Sequence, residues 1–200
     1  MTPSGSPPKG PGLRERRKAE TRRSIQEHAL RLFLANGYDA TTVEEIATAA
    51  GVSHMTFFRH FDSKPAVVES DDYDPMLAEM IGSRPDHEDP LTAIRRAVVT
   101  ALRAMPAAER QTVLVRTRLI MNVPALRARQ EENQRTTRDL FGTAIAARAD
   151  RPDSPFAIRV LAAVAVAVLT TTLYEWAGED GRADLADLVD AAFAALPGSR

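Results

Sequence analysis

The sequence predicts an all-α protein, with an N-terminal three-helix helix-turn-helix domain followed by a larger helical bundle. Three observations support this prediction. The 200 residues are 44% hydrophobic and rich in alanine, leucine and arginine. No stretch alternates apolar and polar residues strictly enough for a β-sheet. Prolines recur at or near the ends of the predicted helices, where proline is tolerated.

The composition excludes several classes of protein. The absence of cysteine excludes a disulfide framework, thiol catalysis and a cysteine zinc site. The longest apolar run, residues 160–169, is shorter than the span of about 20 residues that a bilayer needs. The N-terminus has no apolar stretch that could act as a signal peptide. We therefore expect a cytoplasmic protein without a membrane segment.

The N-terminal region divides into an arm and a first helix. Residues 1–13 are rich in proline, glycine and serine, so we expect a disordered arm. The first helix is predicted to begin near Arg14 and to end at Asn36, with Gly37 at its C-terminal cap. It carries a one-sided apolar stripe of Ile25, Ala29, Leu32 and Phe33.

Two short helices are predicted next, separated by a sharp turn. Thr42 and Glu45 have the spacing of a capping box, in which each side chain accepts from the other residue's backbone amide. The helix that they start should end near residue 50, because Gly51 permits a tight turn. Ser53 can cap the following helix, which should run to about Phe61.

Further helices are predicted to fill the rest of the chain. Asp62 or Ser63 caps the fourth. The predicted domains are 14–64 for the helix-turn-helix and 65–200 for a larger helical bundle. The helices expected in the bundle are Pro75–Ser83, Pro90–Met105, Ala107–Met121, Pro124–Ala149, Ser154–Ala177 and Ala183–Leu196.

The turn between the second and third helices indicates nucleic-acid binding. In a helix-turn-helix, the second of the paired helices enters the major groove of DNA. If Phe57 and Phe61 point inward, the third helix exposes Met55, Thr56, Phe58 and Arg59, with His54 and His60 on its flanks. A helical hairpin with a merely hydrated outer face would show the same pattern.

The residue types on this face suit DNA. Arg59 could pair with guanine or hold a phosphate, and Thr56 and Met55 could contact a thymine methyl group. Lys64 and the helix amides that begin at Thr42 could hold phosphates. Up to residue 23 the chain has seven basic and two acidic residues. Four of these bases are predicted to follow the phosphate backbone: Arg16, Arg17, Arg22 and Arg23.

This region resembles the N-terminal domain of the tetracycline-repressor (TetR) family, over about residues 14–68. The string ALRLFLANGYDATTVEEIATAAGVS, followed by TFFRHFDSK, carries the resemblance. It implies operator contacts at Thr42, Ser53, His54, Met55, Thr56, Phe58, His60 and Lys64. Phe58 stands where the family usually has a tyrosine, whose hydroxyl contacts a phosphate, and Pro65 replaces a more usual glutamate.

The C-terminal domain contains a helix that is apolar on nearly every side, residues 156–176. Such a helix must be buried all round, against its own domain and against a partner. We expect a homodimer through the helices at about 154–177 and 183–196, the second of which carries an apolar stripe of Leu185, Val189, Ala192, Phe193 and Leu196. A helix buried wholly within its own chain is the alternative.

Two arginines, Arg116 and Arg118, lie among apolar residues and therefore need partners. Each could pair with an acid of the same chain, such as Glu109, Glu131 or Glu175, or hold the head group of a ligand above an apolar pocket. The candidate pocket walls are Met105, Leu119, Met121, Phe141, Tyr174 and Trp176.

The segment ERQTVLVRTRLIMNVPALRARQEENQRTTRDLF resembles a TetR subgroup whose C-terminal domain binds acyl-CoA-like ligands, as in mycofactocin-system regulators. The resemblance implies that residues 65–200 form a ligand-binding and dimerisation domain. It also implies a repressor that binds a near-palindromic operator as a homodimer and is released by a small apolar effector. The alternatives are an enzyme or a helical lipid or acyl-CoA carrier without a DNA role. The sequence has no catalytic, metal-binding or cofactor-binding motif, so we expect neither enzyme nor cofactor.

Overall fold

The computed structural model describes residues 12–69, 73–148 and 154–196. The chain divides into two compact units, residues 1–68 and 69–200, whereas the sequence placed the boundary between 64 and 65. The predicted arm lies outside the described residues except for Gly12 and Leu13. All the regular structure in the described residues is helical.

The first unit contains four helices: α1 Leu13–Asn36, α2 Val43–Ala49, α3 His54–His60 and α4 Lys64–Glu69, whose last residue lies beyond the division. Gly37 ends α1 with a φ of +88°. Ser63, rather than Asp62, caps α4, because its Oγ accepts from the Ala66 amide at 3.4 Å. The core is formed by fully buried side chains, which include Ile25, Ala29, Ile46, Phe57 and Val67.

The second unit contains seven helices within the described residues: α5 Tyr73–Gly82, α6 Pro90–Ala104, α7 Ala107–Asn122, α8 Pro124–Ala128, α9 Gln130–Arg148, α10 Pro155–Gly178 and α11 Leu185–Ala194. The prediction of one helix over residues 124–149 is wrong. The chain turns at Arg129, whose amide donates to the Leu126 carbonyl at 3.1 Å. The Arg129 side chain bonds Glu69 at 2.7 Å, a contact that helical periodicity cannot reveal.

The stripe of α11 packs within its own unit. Leu185, Val189 and Phe193 are each 1% exposed and belong to the hydrophobic core shared with α6 and α10. These three residues are therefore buried within the chain, and the homodimer predicted through this helix and α10 stays a prediction. They pack against an apolar face of α6 and complete the core of the unit. Helical periodicity does not show which helix covers this stripe.

The apolar part of helix α10 is longer than the ten-residue run found in the sequence. Its 24 residues are long and apolar enough to cross a bilayer, with a mean hydropathy of 2.1 over the best window. One side packs into the core through Ala162, Ala165 and Trp176. Only 22% of that window is buried, so much of the apolar surface remains uncovered within this chain.

A tight turn ends α10 and directs the chain to α11. The amides of Asp180 and Gly181 donate to the carbonyls of Ala177 at 3.3 Å and Trp176 at 2.9 Å. Both residues have positive φ, and a Cβ at Gly181 would lie 3.0 Å from Leu114 Cδ2. Glycine is thus required here both by the backbone and by the close approach of α7.

An ion cluster holds the loop between α5 and α6. The Glu88 carboxylate, 7% exposed, accepts from Arg84 Nε at 2.8 Å and pairs with Arg96. The buried Arg148 donates to the carbonyls of Pro85 at 2.6 Å and Glu88 at 3.0 Å. The hydrogen bonds from Arg84, and next those from Arg96, lower the pKa of Glu88 to about 2.

Replacing Glu88 with glutamine should lower the stability of the second unit near neutral pH by about 1–2 kcal/mol, since the arginines stay partly exposed. A depressed carboxyl pKa contributes stability above the unfolded value of 4.5, and that contribution is lost as pH falls toward about 2. Thermal unfolding should therefore show a Tm gap between wild type and Glu88→Gln that narrows below pH 4.5. Asp86→Asn, an exposed acid of the same loop, is the control; a gap independent of pH would contradict the assignment.

Candidate DNA-binding surface

The helix α2 begins with the predicted capping box. The Glu45 amide donates to Thr42 Oγ1 at 3.2 Å, and the Thr42 amide donates to the Glu45 carboxylate at 2.7 Å. These hydrogen bonds lower the pKa of Glu45. The box satisfies backbone donors at the start of α2, so the orientation of this helix is set at its first turn.

The turn between α2 and α3 is closed by two backbone hydrogen bonds. The Val52 amide donates to Ala47 at 2.9 Å, and the Gly51 amide donates to Thr48 at 3.1 Å. This is a Schellman arrangement, which needs a positive φ at its central residue. Gly51 supplies it with a φ of +66°. Ala47 is 3% exposed, and its small side chain lets α3 pack closely against α2.

The helix α3 is capped at one end and buried along one edge. Ser53 Oγ accepts from the Thr56 amide at 3.1 Å. Phe57 is fully buried and Phe61, at the C-terminal cap, is 2% exposed. These two rings fix which face of α3 is left for solvent, with the orientation that the helical pattern predicts.

The outer face of α3 exposes both apolar and charged groups. Met55 is 76% exposed and Phe58 is 38% exposed, and Arg59 is exposed beside them. Thr56 is partly buried, and its hydroxyl exchanges a hydrogen bond with Ser53 at 2.9 Å. The face thus combines apolar tips with a guanidinium that can donate two parallel hydrogen bonds.

Glu44, which no motif in the sequence marks as a site residue, contacts His54. Its carboxylate lies 3.2 Å from His54 Nε2. The His54 ring also packs edge-on against Phe58, with 4.8 Å between ring centroids. These two contacts hold His54 at the start of α3. The only feature of the sequence that could have indicated this contact is the position of Glu44 in the first turn of a capped helix.

His60 lies at the other end of α3 in a positive environment. Its Nδ1 is buried without a hydrogen-bond partner among the described residues. Burial lowers the pKa of His60, and the charges of Arg59, Arg22 and Lys18 lower it further. The imidazole is therefore neutral near pH 7, while the bases around it form a patch suited to phosphates.

Two predicted phosphate ligands make internal contacts. Lys64 Nζ donates to the carbonyls of Tyr38 and Thr41, each at 3.0 Å, and lies 4.4 Å from the centre of the Tyr38 ring. Arg22 donates to the His60 carbonyl. The other predicted backbone ligands, Arg16, Arg17 and Arg23, are exposed on α1.

The candidate pocket walls of the second unit do not form one group. Met105, Phe141 and Trp176 are buried in the unit, and Trp176 Nε1 donates to the Ala183 carbonyl at 3.0 Å. Leu119 is only partly buried. Two of the predicted residues line a surface pocket of about 530 Å³, whose walls are Met121, Thr171, Tyr174, Glu175, Gly178 and Glu179.

The two arginines of α7 have partners within the unit. Arg116 is buried and donates to the Glu69 carbonyl at 3.3 Å. Arg118 pairs with Asp180 and donates to the Ala177 carbonyl at 3.3 Å. Of the alternatives, the intrachain pair is correct for Arg118, but none of the three predicted acids is its partner. The turn after α10 brings Asp180 to it instead.

Comparison with known proteins gives matches to both parts of the chain. Residues 25–70 match the model for bacterial regulatory proteins of the tetR family, and residues 88–199 match the MftR C-terminal domain. The regulator TcmR of Streptomyces glaucescens is 36% identical over 184 residues, which cover 88% of this chain and 81% of the relative. The putative mycofactocin biosynthesis transcriptional regulator MftR of Mycobacterium tuberculosis is 28% identical, with 89% and 90% covered.

A solved structure shares the fold. FadR from Bacillus subtilis, in complex with stearoyl-CoA, superimposes with a TM-score of 0.56 at 16% identity, over 89% of this chain and 98% of that one. The predicted all-α fold and the predicted DNA-binding regulator are confirmed, and a carrier without a DNA role is not supported. With an exposed α3 behind a Schellman turn and a match to both domain models, the chain belongs to the TetR family of helix-turn-helix transcriptional regulators.

Proposed function

We propose that this regulator is a cytoplasmic, homodimeric repressor that binds a near-palindromic operator and is released by an apolar, acyl-CoA-like effector. The exposed outer face of α3 is the observation that carries the DNA part of this proposal. Because Phe57 and Phe61 bury the inner edge, Met55, Phe58 and Arg59 are free to enter a major groove. Two such helices in a dimer would contact half-sites about one helical turn, or a multiple, apart.

The charges around α3 support the same orientation on DNA. Arg59, Arg22 and Lys18 lie close enough to His60 to lower its pKa. Arg16 and Arg17 extend the positive surface along α1. Exposed bases such as Arg16 and Arg17 bind phosphates without sequence preference, whereas base edges are distinguished by side chains within the groove. Arg59 would therefore contact base edges, and Arg17 would contact phosphates.

The operator should be found by selecting bound duplexes from a random pool, and the roles tested by fluorescence anisotropy. Arg59→Ala should weaken binding to the selected operator by about 1–3 kcal/mol, or about 5–150-fold, and weaken binding to a scrambled duplex far less. Arg17→Ala is the control. It should weaken binding to both duplexes, and it should lower the slope of log affinity against log salt concentration (the salt slope) by about 0.9. If Arg59→Ala loses equal affinity for both duplexes, Arg59 contacts the phosphate backbone of DNA and not the base edges.

The uncovered face of α10 supports the proposed dimer. Its side chains recur at helical spacing and are exposed or partly exposed: Phe156, Val160, Ala163, Ala167 and Thr171. Small residues at the centre of this face allow a second helix to approach closely. A second copy of α10 offers the matching surface, as twofold symmetry requires. Helix α11 would contribute to the dimer interface only through side chains outside its buried stripe.

Placing a charge on that face should prevent dimerisation. Ala167→Glu would bury an unpaired carboxylate against its symmetry mate, which costs several kcal/mol. Sedimentation analysis should show wild type at twice the mass of the chain and Ala167→Glu as a monomer with unchanged helix content. Thr100→Glu, at an exposed position of α6, should remain a dimer. A dimeric Ala167→Glu protein would contradict the interface.

The effector class rests on similarity and on the pocket beside α10. The stearoyl-CoA complex of FadR, and the resemblance of the C-terminal segment to regulators that bind acyl-CoA-like ligands, support an acyl-CoA-like ligand. Burial raises the pKa of Tyr174, so its hydroxyl stays protonated and can donate to a ligand. Glu175 and Glu179 line the same pocket. Their carboxylates would repel the phosphates of a CoA head group, so only the acyl part of the ligand is proposed to lie in this pocket.

A thermal-shift panel of acyl-CoA thioesters, with free CoA as control, tests this class. A ligand at about 100 times its Kd should add about 2.7 kcal/mol to the stability of the folded protein and raise its Tm. The same thioester should weaken operator binding about 5–150-fold, which corresponds to a coupling of about 1–3 kcal/mol. Stabilisation by other apolar compounds and by no acyl-CoA would contradict the proposed class, while leaving the DNA role intact.

A further inference from the structure

The seven-residue helix α3 needs support at both ends. Forming a short helix costs more than its few hydrogen bonds return, and its last carbonyls have no partner inside the helix. Ser53 supports the first turn. The last turn carries Arg59 and His60, two of the predicted DNA contacts, so whatever fixes it also fixes them.

Arg22 of α1 meets this last turn with two contacts. Its guanidinium donates to the His60 carbonyl and lies 4.2 Å from the centre of the Phe61 ring. A cation is favourable at the C-terminal end of a helix, where the backbone dipoles leave partial negative charge. The ring below it adds a cation–π contact. Four residues along α1, Gln26 likewise donates to the Val67 carbonyl of α4 at 2.8 Å.

We infer that Arg22 is a positioning residue for α3, which sets the orientation of Arg59 and His60 toward DNA by holding the His60 carbonyl and the Phe61 ring. This role differs from the phosphate contact that the charge pattern predicts. A phosphate ligand adds affinity for every duplex and raises the salt dependence. A positioning residue adds discrimination between the operator and other duplexes, because only base-edge contacts depend on the exact placement of α3.

The inference rests on the proposed use of α3 as the reading helix, and salt titrations separate the two roles. Arg22→Met keeps the apolar stem but loses the charge and all donors. It should weaken operator binding about 10-fold while changing binding to a scrambled duplex less than about 2-fold, with an unchanged salt slope. Arg22→Lys should retain most of the discrimination, because an ammonium can donate to the same carbonyl. Arg17→Met is the matched control and should lower the slope by about 0.9 on both duplexes.

The second measurement needs no DNA. The charge of Arg22 helps to lower the pKa of His60. An NMR titration of the histidine rings should therefore show the His60 pKa moving upward, toward the ordinary 6.5, in Arg22→Met and staying in place in Arg17→Met. Binding assays are run well below the Tm of each variant, so that a loss of folded protein is not read as a loss of discrimination.

Each result decides between the roles. A salt slope that falls in Arg22→Met as much as in Arg17→Met overturns the inference, and so does a His60 titration that does not move. A shifted titration with unchanged discrimination overturns the positioning role and leaves α3 as the reading helix. If the wild-type protein does not distinguish its selected operator from a scrambled duplex, the proposed function is refuted, and the inference with it. The NMR titration would then still show whether the charge of Arg22 lies beside His60.

Discussion

The burial of Phe57 and Phe61 is the constraint on which the DNA-binding surface depends. A helix as short as α3 is not stable alone, so its two rings and its Ser53 cap decide whether it forms and which face it shows. The Gly51 turn brings those rings onto the first unit's core. The exposure of Met55 and Arg59 is a consequence of this packing and not an independent property of either residue.

Several arginines in the described residues donate to backbone carbonyls where a helix ends or in a loop, while others pair with carboxylates. Arg22 bonds the end of α3, Arg118 bonds the end of α10, and Arg148 bonds the loop between α5 and α6. The planar guanidinium has several donors in a fixed arrangement, which suits carbonyls that converge where a helix stops. A basic residue near a binding surface is therefore a poor guide to a phosphate contact until its hydrogen bonds are known.

The helix α10 connects the two proposed activities of the second unit. Its inner side holds the core through Trp176, and its outer side is apolar and largely uncovered. The pocket that contains Tyr174 lies along the same helix. A ligand there would contact the element proposed to join the subunits, so its binding energy could change the separation of the two reading helices.

The sequence alone determined the features that depend on neighbours a few residues apart. The Thr42–Glu45 box, the Gly51 turn, the Ser53 cap and the inward placing of Phe57 each follow from local spacing. Tertiary structure decided the rest: the break at Arg129, the pairing of Arg118 with Asp180, the bonds of Lys64 to Tyr38 and Thr41, and the inward stripe of α11. These contacts join residues far apart in the chain, and helical periodicity specifies which face is apolar but not which surface covers it.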